Sequence, residues 1–145
     1  MLRGSHLARV DEKGRLKVPA EFKRLFDEKY GQSFFITSFD GERAEIFPMP
    51  EWEKIEATMA ERPSSDEKTR FLNFTNYFGG VVEMDSQGRL LLPQNLREKA
   101  GLEGELAVLG LQNRIAAVND EQQLAKLKSA PLTGADFAAL AIPGM

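Results

Sequence analysis

Residues 7–10 and 16–18 are two short strand-like runs, LARV and LKV, separated by Asp11-Glu12-Lys13-Gly14. They predict a pair of strands joined by a turn, since Asp accepts hydrogen bonds from the backbone two residues on and Gly reaches positive φ without steric cost. Pro19 stands where a helix should begin, because a first-turn proline forfeits no helical hydrogen bond. Phe22, Leu25 and Phe26 follow at helical spacing and predict a helix that packs on the core and ends at Gly31. FFITSF at 34–39 and AEIF at 44–47 predict two strands joined around Asp40-Gly41. Pro48 and Pro50 open a helix from about Glu51 to Arg62, with Trp52, Ile55 and Met59 as its buried stripe. Pro63 stops it, and Ser64 with Glu67 reads as a capping box for a helix over 65–77 that buries Phe71, Leu72 and Phe74, with Phe78 at its end.

The same order then returns. VVEM is a strand, DSQG a turn and RLLL a strand, and Pro93 leads a helix that holds Leu96 and ends near Gly101. ELAVLGL and RIAAV are strands around Gln112-Asn113, and residues 120–128 are a helix. Residues 129–145, with two prolines and two glycines, are expected to form a loose tail in which Phe137, Leu140 and Ile142 are available to dock.

The order returns because the sequence does. DEKGRLKVP at 11–19 recurs as DSQGRLLLP at 85–93, so that Asp11, Gly14, Arg15, Leu16 and Pro19 match Asp85, Gly88, Arg89, Leu90 and Pro93. The flanks agree too: Val10 with Met84, Val18 with Leu92, Phe22 with Leu96 and Lys23 with Arg97. A period this long implies two copies of one supersecondary unit, not a solenoid. Halves of about 70 residues bury little core alone. The expectation is one interlocked domain over 1–145, with a first unit at 1–50, a helical insert at 51–77, a second unit at 78–128 and a tail at 129–145.

Alternation along the return strand sorts the side chains by face. Leu16 and Val18 go inward, so Lys13, Arg15 and Lys17 form an outward row of cations beside the turn. In the second copy the same positions are Gln87, Arg89 and Leu91, and only the arginine persists. An arginine four residues after an aspartate serves one of two ends. It is a structural fork to that carboxylate, or it reaches phosphates or the O6 and N7 edge of guanine in a major groove, which admits a β-ribbon. Its neighbours favour the structural role for Arg89 and nucleic acid for Arg15, with an ordinary solvated surface as the plain alternative.

Charge agrees only after it is divided. The net charge of −3 argues against a polyanionic partner, but residues 1–30 carry +3, residues 31–70 carry −4 and residues 71–145 carry −2. There is no cysteine, which excludes disulfides and Cys-based zinc sites and suits a reducing compartment. His6 is the only histidine, so nucleophile–base pairs and histidine-rich metal sites find no material, and neither an enzyme nor a cofactor or metal site is expected. The carboxylates at 51–56 and 66–67 read as solvated helix faces, and the aromatics at 71–78 as core or interface. Arg3, His6 and Arg9 interrupt the N-terminal apolar residues, and no run is long enough for a membrane helix, so a soluble intracellular protein is expected.

With the opening MLRG, the paired D-x-x-G-R-x-x-x-P phrases and the intervening PMPEWEKIE, the chain resembles the MraZ family of bacterial transcriptional regulators from residue 1 to about 128. The resemblance implies an α+β fold, an internally duplicated swapped-hairpin (AbrB-like) double-psi β-barrel with peripheral helices. It implies a DNA-binding regulator, usually a repressor, acting at the promoter of the division and cell wall gene cluster, its own operon included. It also implies a ring-shaped homo-oligomer that engages tandem short repeats of double-stranded DNA in the cytoplasm, at the nucleoid. The family's D-x-x-x-R element falls on Asp11 and Arg15 and again on Asp85 and Arg89, with Gly14 and Gly88 as turn residues. The DNA-contacting assignment carries to Arg15, joined by Lys13, Lys17 and Arg3. Two other classes stay open: an antitoxin-like protein–protein module acting through the helices at 51–77, and an enzyme built on the same barrel.

Overall fold

A computed structural model describes residues 1–145. Eight strands and six helices alternate in the order β1 (Ser5–Val10), β2 (Arg15–Lys17), α1 (Ala20–Lys29), β3 (Ser33–Thr37), β4 (Ala44–Pro48), α2 (Met49–Glu61), α3 (Asp66–Tyr77), β5 (Gly80–Glu83), β6 (Arg89–Leu91), α4 (Gln94–Ala100), β7 (Gly104–Gly110), β8 (Ile115–Val118), α5 (Asp120–Ser129) and α6 (Gly134–Leu140). All strands belong to one sheet in the order β5-β3-β4-β8-β7-β1-β2-β6, with every pairing antiparallel. Its two end strands are consecutive in the chain and joined by the Asp85 turn, where the Asp85 amide donates to the Arg89 carbonyl at 3.0 Å. The sheet is therefore a nearly closed barrel, consistent with the double-psi type that the family resemblance implies.

The barrel has an internal two-fold relation that the registers make explicit. Leu16 pairs with Leu90, its own counterpart, and Lys17 pairs with Arg89 where Arg15 pairs with Leu91. His6 pairs with Val108, as its counterpart Gly80 pairs with Ile36. Carried on through Phe35↔Phe47 and Ala107↔Val118, the relation matches Glu45 with Ala116, and these two also pair directly. Leu16–Leu90 and Glu45–Ala116 thus lie on the two-fold axis at two places in the barrel.

Nineteen buried residues form one core, to which both halves contribute: Leu16, Val18, Phe22, Phe26, Phe34 and Ile36 from the first, Leu90, Leu92, Leu96, Leu106 and Val108 from the second. A smaller cluster of Phe35, Phe47 and Trp52 lies beneath α2, with Ile55 and Phe71 against it. No helix is long and apolar enough to cross a membrane.

Several local expectations need correction. Ser65, not Ser64, caps α3, accepting from the Lys68 amide at 3.1 Å, and Glu67 does not close a box. Leu72 and Phe74 are exposed, and the buried residue of that helix is Thr75, whose carbonyl accepts from the Thr37 hydroxyl at 2.6 Å. Helix α2 begins at Met49, with Pro50 in its first turn, rather than at Glu51. The β3–β4 connection is a loop over 38–43 organised by Ser38 and Asp40, longer than a tight Asp-Gly turn. The tail is not structureless: Thr133 and Asp136 form a reciprocal capping box that starts α6, although the helix stays exposed.

Candidate nucleic-acid interface

The two D-x-x-G-R phrases fold alike. Asp11 Oδ1 accepts from the amides of Lys13 at 3.0 Å and Arg15 at 2.9 Å, and Oδ2 accepts from Arg15 Nε at 2.7 Å. Asp85 does the same with the amides of Gln87 and Arg89, both 2.9 Å, and with Arg89 Nε at 2.8 Å. The arginine amide is the largest influence on each carboxyl; together with the arginine side chain and the amide of Lys13 or Gln87 it outweighs the opposing desolvation and holds both below their ordinary value of 3.8. Each aspartate is therefore an ionised clamp that fixes its arginine by the Nε edge and leaves the terminal Nη groups pointing onward.

Each turn is also held by the other copy. Gly14 has φ +83°, and a Cβ there would fall 1.4 Å from Arg97 Nη1. Gly88 has φ +76°, and a Cβ there would lie 2.9 Å from Lys23 Cδ. Positive φ favours glycine at both positions, and a Cβ at either would displace the long side chain lying over it. Arg97 Nη1 donates to the Lys13 carbonyl at 3.3 Å, and Lys17 Nζ donates to the Gln87 carbonyl. The sequence pairs Lys23 with Arg97 only as similar flanking cations; their role as covers over the partner turn emerges only once the two copies face each other.

The structure brings Lys13, Arg15 and Lys17 together on the outer side of the β2–β6 ribbon, with Leu16 and Val18 buried beneath. Arg15 keeps 29% of its side chain exposed, and its Nη groups meet no second carboxylate. Arg89 differs: its Nη1 lies 4.0 Å from Asp11 Oδ2, so it ties the two copies together. Arg3 does not join this cluster. It is exposed at the opposite end of β1, fixed by the Leu2–Gln112 bridge, roughly 25 Å of extended chain from Asp11. His6 is engaged locally, 3.4 Å from Glu21 and edge-on to Phe22.

A partly exposed arginine held by one edge, between two lysines on a rigid ribbon, offers paired donors to paired acceptors such as phosphate oxygens or a guanine edge. Fold and ribbon together define a swapped-hairpin double-psi barrel protein of the AbrB type. Comparison with known proteins narrows this further. The family described as "MraZ protein, putative antitoxin-like" matches residues 1–75 and 80–140. A protein of Acidobacterium capsulatum named Transcriptional regulator MraZ is 51% identical over 146 residues, covering 100% of both chains. Its namesake in Koribacter versatilis is 47% identical over 94% of both chains, and that of Neisseria meningitidis is 32% identical over 90% of this chain and 87% of its own. The chain belongs to the MraZ family.

Proposed function

We propose that the chain is a transcriptional regulator that binds double-stranded DNA in a sequence-specific manner through the first-copy ribbon, with no catalytic activity. The observation that carries this is Arg15: clamped at Nε by Asp11, free at Nη, and flanked on the outer face by exposed Lys13 and Lys17. Arg15 reads the guanine edge, Lys13 and Lys17 meet phosphates, and Arg3 contacts phosphate outside the footprint of the ribbon. Asp11 and Gly14 shape this head, while Asp85, Gly88 and Arg89 hold the frame behind it. Four cations per subunit give modest affinity, so a ring of subunits engaging tandem repeats supplies the remainder through effective concentration. Membership of the family supports repression of the division and cell wall gene cluster, the chain's own promoter included, and action in the cytoplasm at the nucleoid.

A gel-shift series with duplex from the region upstream of its own coding sequence tests the reading. Wild type should shift the duplex, with affinity falling with salt at a log–log slope of about −0.9 per phosphate contact. Arg15→Ala should abolish the shift while circular dichroism and oligomer size stay unchanged. Normal binding by Arg15→Ala would remove the assignment.

A second reading, a protein–protein module, draws on a specific feature. Helices α2 and α3 flank an apolar cavity of about 290 Å³ lined by Trp52, Ile55, Met59, Phe71 and Leu72. Copurification of a stoichiometric partner, with no DNA shift at low salt, would favour it.

A further inference from the structure

Beside the ribbon lies a shallow depression of about 420 Å³ between β5, β6 and the start of α4. Its floor is apolar, with Val81 64% and Leu91 51% exposed. Lys13 and Arg97 stand on its rim with the amide of Gln94, and no carboxylate lines it. The neighbouring depression around Gly14, which shares Arg97 as a wall, is mainly acidic, lined by Asp11, Glu12, Glu98 and Glu103.

Two features mark the first depression as more than leftover surface. Leu91 stands in register with Arg15 across the ribbon, so an apolar group and the proposed base-reading arginine are adjacent on one face. Leu91 is also the counterpart of Lys17, which on the other side folds over to donate to the Gln87 carbonyl. The second copy has a leucine where the first has a tethered cation, and the space that the lysine occupies on one side is open on the other. Likewise Lys23 is neutralised by Asp27 at 2.6 Å, whereas its counterpart Arg97 has no carboxylate partner and touches the Lys13 turn.

A partner that suits this surface has anionic groups spaced around an apolar one. In a major groove the apolar group on a base edge is the thymine 5-methyl, flanked by phosphates. Resting on the proposed DNA-binding function, we infer that Leu91 and Val81 form a subsite for the 5-methyl group of a thymine next to the guanine read by Arg15, with Arg97 and Lys13 on the adjoining phosphates. The reading face is then composite, with the arginine from one copy and the methyl pocket from the other.

The test uses the full chain and the upstream-region duplex, with thymines replaced singly by deoxyuridine, which removes only the methyl group. Wild type should lose about fourfold in affinity at one thymine per repeat, the worth of about one buried methyl-sized group. Leu91→Ala should bind the unmodified duplex correspondingly more weakly and be indifferent to that deoxyuridine. Leu91→Lys, which copies Lys17, should gain affinity for unrelated duplex and lose the thymine preference. If wild type binds tightly and no deoxyuridine weakens it, the methyl subsite is wrong while DNA binding stands. If wild type does not shift the duplex at all, both fall. Leu91 is exposed, so circular dichroism of the variants should match wild type.

Discussion

At the scale of residues, the duplicated phrase specifies a turn through three devices: an aspartate that accepts from two amides, a glycine at positive φ and an arginine that closes on the aspartate. Gly14→Ala and Gly88→Ala should each cost about 1–2 kcal/mol from the left-handed backbone alone, read as a lower urea midpoint. Gly14→Ala should cost more, because it also evicts the Arg97 guanidinium from the turn. The clamps should be acid-labile as well. Asp11 and Asp85 are held below 3.8, so their contribution is complete above that pH and disappears as the pH falls through the lowered values. Thermal melts from about pH 6 to about pH 2 should show wild type losing stability below about pH 4, with a shallower loss in the Asp11→Asn, Asp85→Asn double variant. These devices were legible in the chain because they are local in sequence. Arg97 over Gly14 was not, because nothing within a turn indicates which distant residue covers it.

At the scale of elements, strand alternation and the proline-led helices gave dependable readings, and α3 shows where helical periodicity fails. The stripe expected there joined Phe71, Leu72 and Phe74, yet Leu72 lies about 100° around the helix from Phe71. The inward line runs through Phe71, Thr75 and Phe78, and its middle position is a threonine, which an apolar pattern passes over; the Thr75 carbonyl there accepts from Thr37 Oγ1. The adjacent serines at 64 and 65 posed a similar ambiguity, and the extended backbone of Ser65 resolved it. Ser65→Ala should destabilise α3 by about 1 kcal/mol, visible as faster amide exchange in its first turn, whereas Ser64→Ala should have little effect. The capping box of α6 is Thr133-x-x-Asp136, a signal that lies inside a segment whose prolines and glycines predict a loose tail. Thr133→Ala should unwind that helix without moving the global melting temperature, since α6 contributes no buried residue.

At the scale of the whole molecule, the barrel draws strands in alternating pairs from the two halves, and the site follows from their facing geometry: Arg15 beside Leu91, Arg97 over Lys13, Arg89 toward Asp11. On the axis at the far side of the barrel, Glu45 is 1% exposed and accepts from Arg43 Nε at 2.6 Å and from Arg114 Nε at 2.8 Å. Arg43 and Arg114 are two-fold counterparts, so one carboxylate serves both. Glu45→Gln should cost about 3 kcal/mol, the lower end of the range for breaking a buried ionic cluster, because each arginine keeps about a quarter of its surface in water. Removing the surface carboxylate Glu42, which meets Lys126, should leave the urea midpoint nearly unmoved.

A residue on a symmetry axis faces its own copy. Were the two halves identical and separate, Glu45 would oppose another glutamate across a strand pair, where like charges repel; here it opposes Ala116. Joining both halves in one polypeptide lifts the requirement of self-complementarity that binds every two-fold homodimer interface. A single buried acid becomes possible at one end of the axis, and beside the other end a leucine can stand where symmetry would dictate a lysine.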